Sequence, residues 1–222
     1  GVKLRFHFAG HILGAAIVEL EVMDAGEWKR IVFTGDLGRR DQPILMDPET
    51  IERCDALITE STYADRVHPD QGDVKAELHR IICEAATRKG KVVIPAFSLG
   101  RTQMLVYLLN QLRNEEALCR VPVFIDSPLS LRLTDAHRDH TDEMDDAVQE
   151  ILKVDKDVFD FDGLTYIQSQ DESIALNRME GPCVIIAAGG MCESGRVVHH
   201  LMHTVSDENN TIMIIGFQAE HT

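Results

Sequence analysis

Apolar and polar positions follow two different patterns along the chain. In the first third they alternate, in Leu4-Arg5-Phe6-His7-Phe8 and Ala16-Ile17-Val18-Glu19-Leu20-Glu21-Val22, with Ile31-Val32-Phe33 following. Alternation of this kind predicts short strands. Asp24-Ala25-Gly26-Glu27 has hairpin chemistry, so an antiparallel ribbon is expected to end at Asp36.

From Ala56-Leu57-Ile58 onward the pattern changes. Apolar runs at Val92-Val93-Ile94, Val121-Pro122-Val123-Phe124-Ile125, Leu164-Thr165-Tyr166-Ile167, Val184-Ile185-Ile186-Ala187 and Ile212-Met213-Ile214-Ile215 alternate with amphipathic stretches. These stretches predict helices near residues 73–88, 101–114, 129–137, 142–153, 171–180 and 194–204, and Ser169 with Glu172 offers the fifth a capping box. Strands separated by helices of this length predict right-handed crossovers and an α/β fold whose mainly parallel sheet is flanked by helices.

Composition narrows the function classes. The chain has 222 residues, 44% hydrophobic and 27% charged, as in ordinary globular proteins. No apolar run approaches the roughly 20 residues that span a bilayer, so no membrane partner and a cytoplasmic location are expected. Cys54, Cys83, Cys119, Cys183 and Cys192 are odd in number and never in C-x-x-C spacing, which argues for reduced thiols and against a disulfide framework or a cysteine zinc site. The net charge of −15 is awkward for nucleic-acid binding, because Lys and Arg supply most of that affinity. Much of the excess is local, in Thr141-Asp142-Glu143-Met144-Asp145-Asp146 and in Asp155, Asp157, Asp160 and Asp162, runs that read as solvated faces. A nucleic acid would then be held by a few localised donors.

Several segments carry candidate chemistry. Asp36, in Thr34-Gly35-Asp36-Leu37-Gly38-Arg39, is a lone carboxylate after an apolar strand, a common way to present a metal ligand; capping the amides of Leu37 and Gly38 is its structural alternative. His11, in Gly10-His11-Ile12-Leu13-Gly14-Ala15, is either a neutral imidazole ligand or a satisfied histidine in a turn. Glu60, in Ile58-Thr59-Glu60-Ser61-Thr62-Tyr63, sits at a strand end. Ser98, Arg101 and Ser127 follow strands, where ligands gather in open α/β sheets. Ala188-Gly189-Gly190-Met191 followed by Ser194-Gly195-Arg196 is a glycine-rich loop entering a helix, either an anion site or a plain turn. His199 and His203 share a helix face, but there is no H-E-x-x-H glutamate between them.

Taken in order, the segments around His11, Asp36 and Glu60, with Pro95-Ala96-Phe97-Ser98-Leu99-Gly100-Arg101, Ile125-Asp126-Ser127-Pro128 and the 188–196 loop, resemble the metallo-β-lactamase superfamily, in particular its β-CASP RNA-processing nucleases. The resemblance covers nearly the whole chain. It implies a partial metallo-β-lactamase domain over residues 1–66, an incomplete αββα portion, a β-CASP domain over 67–210, and the start of a return to the first domain over 211–222. The family's H-x-H-x-D-H motif has no counterpart in the first eight residues, and its two later histidine motifs would fall beyond Thr222, so the chain is expected to be the middle of a longer protein.

In the intact protein the resemblance implies two zinc ions, with His11 and Asp36 as metal ligands and Asp36 bridging. Asp36 and Glu60 would be catalytic, Glu60 orienting a histidine general acid. Ser98, Arg101, Ser127, Gly189, Gly190, Met191, Ser194, Gly195 and Arg196 would contact single-stranded RNA. The reaction implied is zinc-dependent hydrolysis of RNA phosphodiesters, as an endonuclease or an exonuclease, with homodimer formation in the full-length protein. With only two of the expected ligands, this chain alone is expected to bind zinc weakly and to lack activity. A non-catalytic nucleic-acid-binding module and a DNA-directed nuclease of the same family remain as alternatives.

Overall fold

The computed structural model describes residues 1–65, 73–115, 117–216 and 218–220. The expected boundary between residues 66 and 67 lies outside the described residues, as do Phe217 and Thr222. The chain divides into two compact units, Gly1–Asp70 with His140–Lys153, and Gln71–Asp139 with Val154–Thr222.

The first unit holds a four-stranded sheet of β1 (Val2–Phe8), β2 (Ala16–Asp24), β3 (Glu27–Phe33) and β4 (Ala56–Ile58), in that order. β1, β2 and β3 are antiparallel, and β4 joins β3 in parallel. The predicted hairpin forms at Ala25 and Gly26, both with positive φ (49° and 89°), the requirement of a two-residue turn that follows the twist of its strands.

Register gives this sheet two unlike faces. Val2, Leu4, Phe6 and Phe8 stand opposite Val22, Leu20, Val18 and Ala16, and Val18 and Leu20 stand opposite Phe33 and Ile31, so this face is almost wholly apolar. Its edge is open, with Val2 68% and Phe6 64% exposed. The other face carries an ion-pair ladder in which Glu21 takes Lys3 and Arg30, each at 3.1 Å, and buried Glu19 takes Arg5 at 3.3 Å and His7 Nε2 at 3.1 Å. Beyond the ladder, Ala9, Ile17 and Val32 form a small core that packs on Leu37 and Ile51.

The second unit is built on a five-stranded sheet, wholly parallel, in the order β7-β6-β8-β5-β9. Its strands are β5 (Lys91–Ala96), β6 (Val123–Asp126), β7 (Leu164–Tyr166), β8 (Cys183–Ala188) and β9 (Thr211–Ile212). The expected parallel sheet with helical crossovers is present. The helices are α1 (Val74–Thr87), α2 (Arg101–Asn114), α3 (Pro128–Asp139), α5 (Gln170–Arg178) and α6 (Arg196–Thr204), while α4 (Asp146–Ile151) belongs to the first unit. Central strands β5, β6 and β8 are nearly fully buried, which explains their continuous apolar runs. Ser169 and Glu172 form the expected capping box on α5.

Three expectations are corrected. The helix predicted over 142–153 becomes a short 3-10 turn, Thr141–Glu143, followed by α4, because Met144 is extended and the Asp145 carboxylate caps a fresh helix through the Val148 amide at 2.8 Å. The strand predicted from Val121 begins at Val123, after Pro122, which has no amide hydrogen to donate. The five cysteines are not all free: Cys83 on α1 and Cys119 after α2 form a disulfide with their Cα atoms 5.7 Å apart. Residues 36 positions apart in sequence meet because α1 and α2 pack together, which spacing alone does not reveal.

Candidate functional site

The first unit brings its two candidate ligand loops together by backbone contact. Gly38 donates its amide to the Ala9 carbonyl at 2.8 Å, and a Cβ on Gly38 would lie 1.7 Å from the Gly10 carbonyl oxygen. Gly10 is equally confined, since a Cβ there would meet Pro48 Cδ at 2.7 Å. Only glycines allow this approach, and its result is that His11 Nε2 lies 3.9 Å from Asp36 Oδ2.

The loop amides that Asp36 might have capped are occupied. Leu37 donates its amide to Glu60 Oε1 at 2.6 Å, and Gly38 donates to Ala9. The Asp36 carboxylate is therefore left to solvent, its side chain 73% exposed, beside the exposed imidazole of His11. The Leu37 amide, and after it the Thr62 hydroxyl, hold the Glu60 carboxyl below its ordinary range. Glu60 thus fixes the loop that presents Asp36, a role that its place at a strand end did not suggest.

An imidazole and a carboxylate suit zinc in kind. A catalytic zinc takes three protein ligands, and among the described residues no group of three or more His, Cys, Asp or Glu side chains is arranged so that it could hold a metal ion. His11 and Asp36 alone do not make a zinc site. His199 and His203 do not add one either, belonging to no such group among the described residues.

In the second unit the candidate binding residues gather at the C-terminal ends of adjacent strands. Ser98 follows β5, Ser127 follows β6, and their Oγ atoms are 3.3 Å apart across the end of β8, which lies between those strands. Ser127 Oγ also accepts the amide of Ser130 at 3.0 Å and so caps α3. Arg101 opens α2 and reaches Met104 Sδ at 3.8 Å. The α2 and α6 N-caps are Gly100 and Gly195, neither with a side-chain cap, so their first-turn amides lack that partner.

The glycines of the 188–196 loop are needed for close packing. A Cβ on Gly189 would lie 2.2 Å from the Ser194 carbonyl oxygen, and one on Gly195 2.6 Å from that of Ala188, so the two ends of the loop touch backbone to backbone. Gly190 lies under the Phe97 ring, where a Cβ would come within 3.0 Å, and Met191 and Ser194 complete the turn into α6.

Beneath the loop is a cluster that the sequence does not assemble, although it includes Arg196, an expected RNA contact, and Asp126 of the Ile125–Pro128 segment. Asp126, fully buried at the end of β6, accepts Arg196 Nη1 at 2.6 Å and Ser173 Oγ at 2.5 Å, and faces His200 Nε2 at 2.7 Å. His200 turns its Nδ1 to Asn177 Oδ1 at 2.8 Å, and Arg196 Nη2 donates to the Gln168 carbonyl at 3.3 Å. Burial works against the Asp126 charge, but the bonds to His200, Ser173 and Arg196 prevail and hold the carboxyl below its ordinary range. The available signal was an acidic residue ending a buried strand, with Arg196 and His200 four positions apart on one helix face.

Strand ends joined by glycine loops and helix starts form the kind of edge at which ligands gather in open α/β sheets. Residues 102–222, more than half of the chain, match the Beta-Casp domain, and the chain belongs to that family. It is 33% identical over 219 residues to Ribonuclease TTHA0252 of Thermus thermophilus, covering 99% of this chain and 49% of that protein. It is 32% identical over 226 residues to the transcription termination factor FttA of Methanocaldococcus jannaschii, covering 100% of this chain and 35% of that protein. Cleavage and polyadenylation specificity factor subunit 3 of Dictyostelium discoideum is 32% identical over 228 residues, covering 100% and 28% respectively. The chain spans about half or less of the length of these relatives.

Proposed function

We propose that this chain supplies part of a metal-dependent nuclease that hydrolyses phosphodiester bonds in single-stranded RNA during processing or decay. The observation that carries this reading is the His11 and Asp36 pair, 3.9 Å apart, with the neighbouring loop amides already taken by Glu60 and Ala9. That arrangement leaves the Asp36 carboxylate free for a cation. His11 and Asp36 would be two of the ligands, with zinc the ion their chemistry favours, and further donors would come from outside the described residues. The relatives' names, a ribonuclease and a cleavage factor among them, support RNA as substrate.

The strand-end edge of the second unit would hold the RNA backbone through Ser98, Arg101, Ser127, Ser194, Arg196 and the amides of residues 190, 191 and 195, the Gly189 amide being already given to the Ala96 carbonyl at 3.1 Å. Hydroxyls and helix-start amides suit phosphate oxygens without reading sequence. A cytoplasmic location and pairing of two full-length copies belong to the same reading.

The test is cleavage of an end-labelled single-stranded RNA by the full-length native protein, with and without a chelator and beside Asp36→Ala. The expected result is cleavage that the chelator and the substitution both abolish, with fragment sizes separating endonuclease from exonuclease action. Binding without cleavage in the unsubstituted protein would overturn the proposal in favour of a non-catalytic binding module.

A further inference from the structure

The geometry points to Asp126 as a positioning residue for nucleic-acid binding, acting through Arg196, whose guanidinium it holds at the strand-end edge. This inference rests on the reading of that edge as the RNA-binding face. Asp126 lies below the surface and touches no ligand position itself, being fully buried at the end of β6. Arg196 is the first residue of α6, directly after the loop whose ends meet at Gly189 and Gly195.

A guanidinium has five N–H donors. Two of those of Arg196 are engaged below, on Asp126 Oδ1 at 2.6 Å and on the Gln168 carbonyl at 3.3 Å. The side chain remains 25% exposed, so the donors not used by these two bonds belong to a cation whose orientation is already fixed. A free arginine loses rotamer freedom when it grips a phosphate, whereas a clamped one has lost it beforehand. His200 and Ser173 fix the carboxylate in turn, His200 being pinned from its other nitrogen by Asn177.

Charge and geometry make opposite predictions here. Neutralising Asp126 in a chain of net charge −15 should, on charge alone, tighten the hold on a polyanion. If Asp126 positions Arg196, the same change weakens it.

The experiment measures binding of a single-stranded RNA by the full-length native protein over a range of salt, in chelator, for the unsubstituted protein and for Asp126→Asn, Arg196→Gln and Ser173→Ala. Arg196→Gln is expected to make the slope of log K against log salt shallower by about 0.7, the loss of one phosphate contact on a single strand. Asp126→Asn, though less negative, is expected to lose the same contact, and the double variant to lose no more than either single one. Ser173→Ala removes a bond to Asp126 but leaves Arg196 paired, so its melting temperature falls while the slope stays.

An unchanged slope in Arg196→Gln, tighter binding by Asp126→Asn, or a slope loss shared by Ser173→Ala would each overturn the inference. Should Asp126→Asn fail to fold, an unchanged slope in Arg196→Gln still overturns the inference. Absence of salt-dependent RNA binding in the unsubstituted protein would overturn the RNA reading itself, a distinct result.

Discussion

Gly38 and Gly10 meet without room for a side chain, the Cβ position of Gly38 falling 1.7 Å from the Gly10 carbonyl oxygen. This contact places the Asp36 loop against the His11 loop. Gly38→Ala is therefore expected to destabilise the first unit by about 1–3 kcal/mol, the usual cost of forcing an atom into packed structure. Urea denaturation reads the loss. Gly26→Ala offers a comparison, because nothing lies within 4 Å of its Cβ position and the positive φ of 89° is the only penalty.

Glu60 gives the first unit an acid sensitivity. Its folded pKa is depressed, chiefly by the Leu37 amide, so its contribution is present above the unfolded value of about 4.3 and is lost as pH falls through the folded value. Stability measured by denaturant between pH 6 and pH 3 should drop less steeply in Glu60→Gln than in the unsubstituted chain. Equal slopes would show that the Leu37 bond does not persist in solution.

Asp126→Ala removes the carboxylate and leaves Arg196 and His200 without their buried partner. Breaking a buried pair in this way costs about 3–5 kcal/mol, so the midpoint of chemical unfolding should fall well below that of Ser173→Ala.

The Cys83 and Cys119 disulfide closes a loop of 36 positions. In the chain-entropy description such a loop contributes about 4 kcal/mol, and reduction should lower stability by an amount of that order. Alkylation before and after reduction, read by intact mass, should show two additional modified thiols only after reduction.

The apolar face of the four-stranded sheet should bind a hydrophobic dye such as anilinonaphthalene sulfonate when these 222 residues are prepared alone. Leu4→Lys with Phe6→Lys, placed where exposure is 56% and 64%, should remove most of that signal.

Much of this architecture was legible in the sequence. Val184 to Ala187 could be read as a buried central strand because a parallel strand covered on both faces is apolar throughout, and the α5 cap could be read because its two partners lie three residues apart. What escaped were relations between residues distant in sequence. Glu60 and Leu37 are 23 positions apart, and Asp126 and His200 are 74 apart, so their pairing depends on strand order. The glycines carry a second requirement that the sequence does not show: Gly189 and Gly190 suggest a phosphate loop, and they are also needed for close contact with Ser194 and Phe97.

Pro95 lies within a strand that has partners on both sides. Val93 turns its carbonyl toward β9, accepting from Met213 at 2.9 Å, and Pro95, two residues on, faces the same way. β9 pairs only with Val92 and Val93, so the ladder on that side ends before Pro95, which is itself buried. A ring in place of an amide hydrogen leaves nothing to donate to a strand on that side. The residue that looks like a flaw in β5 thus sets where the ladder with β9 stops, and a valine there would bring a buried amide hydrogen in need of an acceptor.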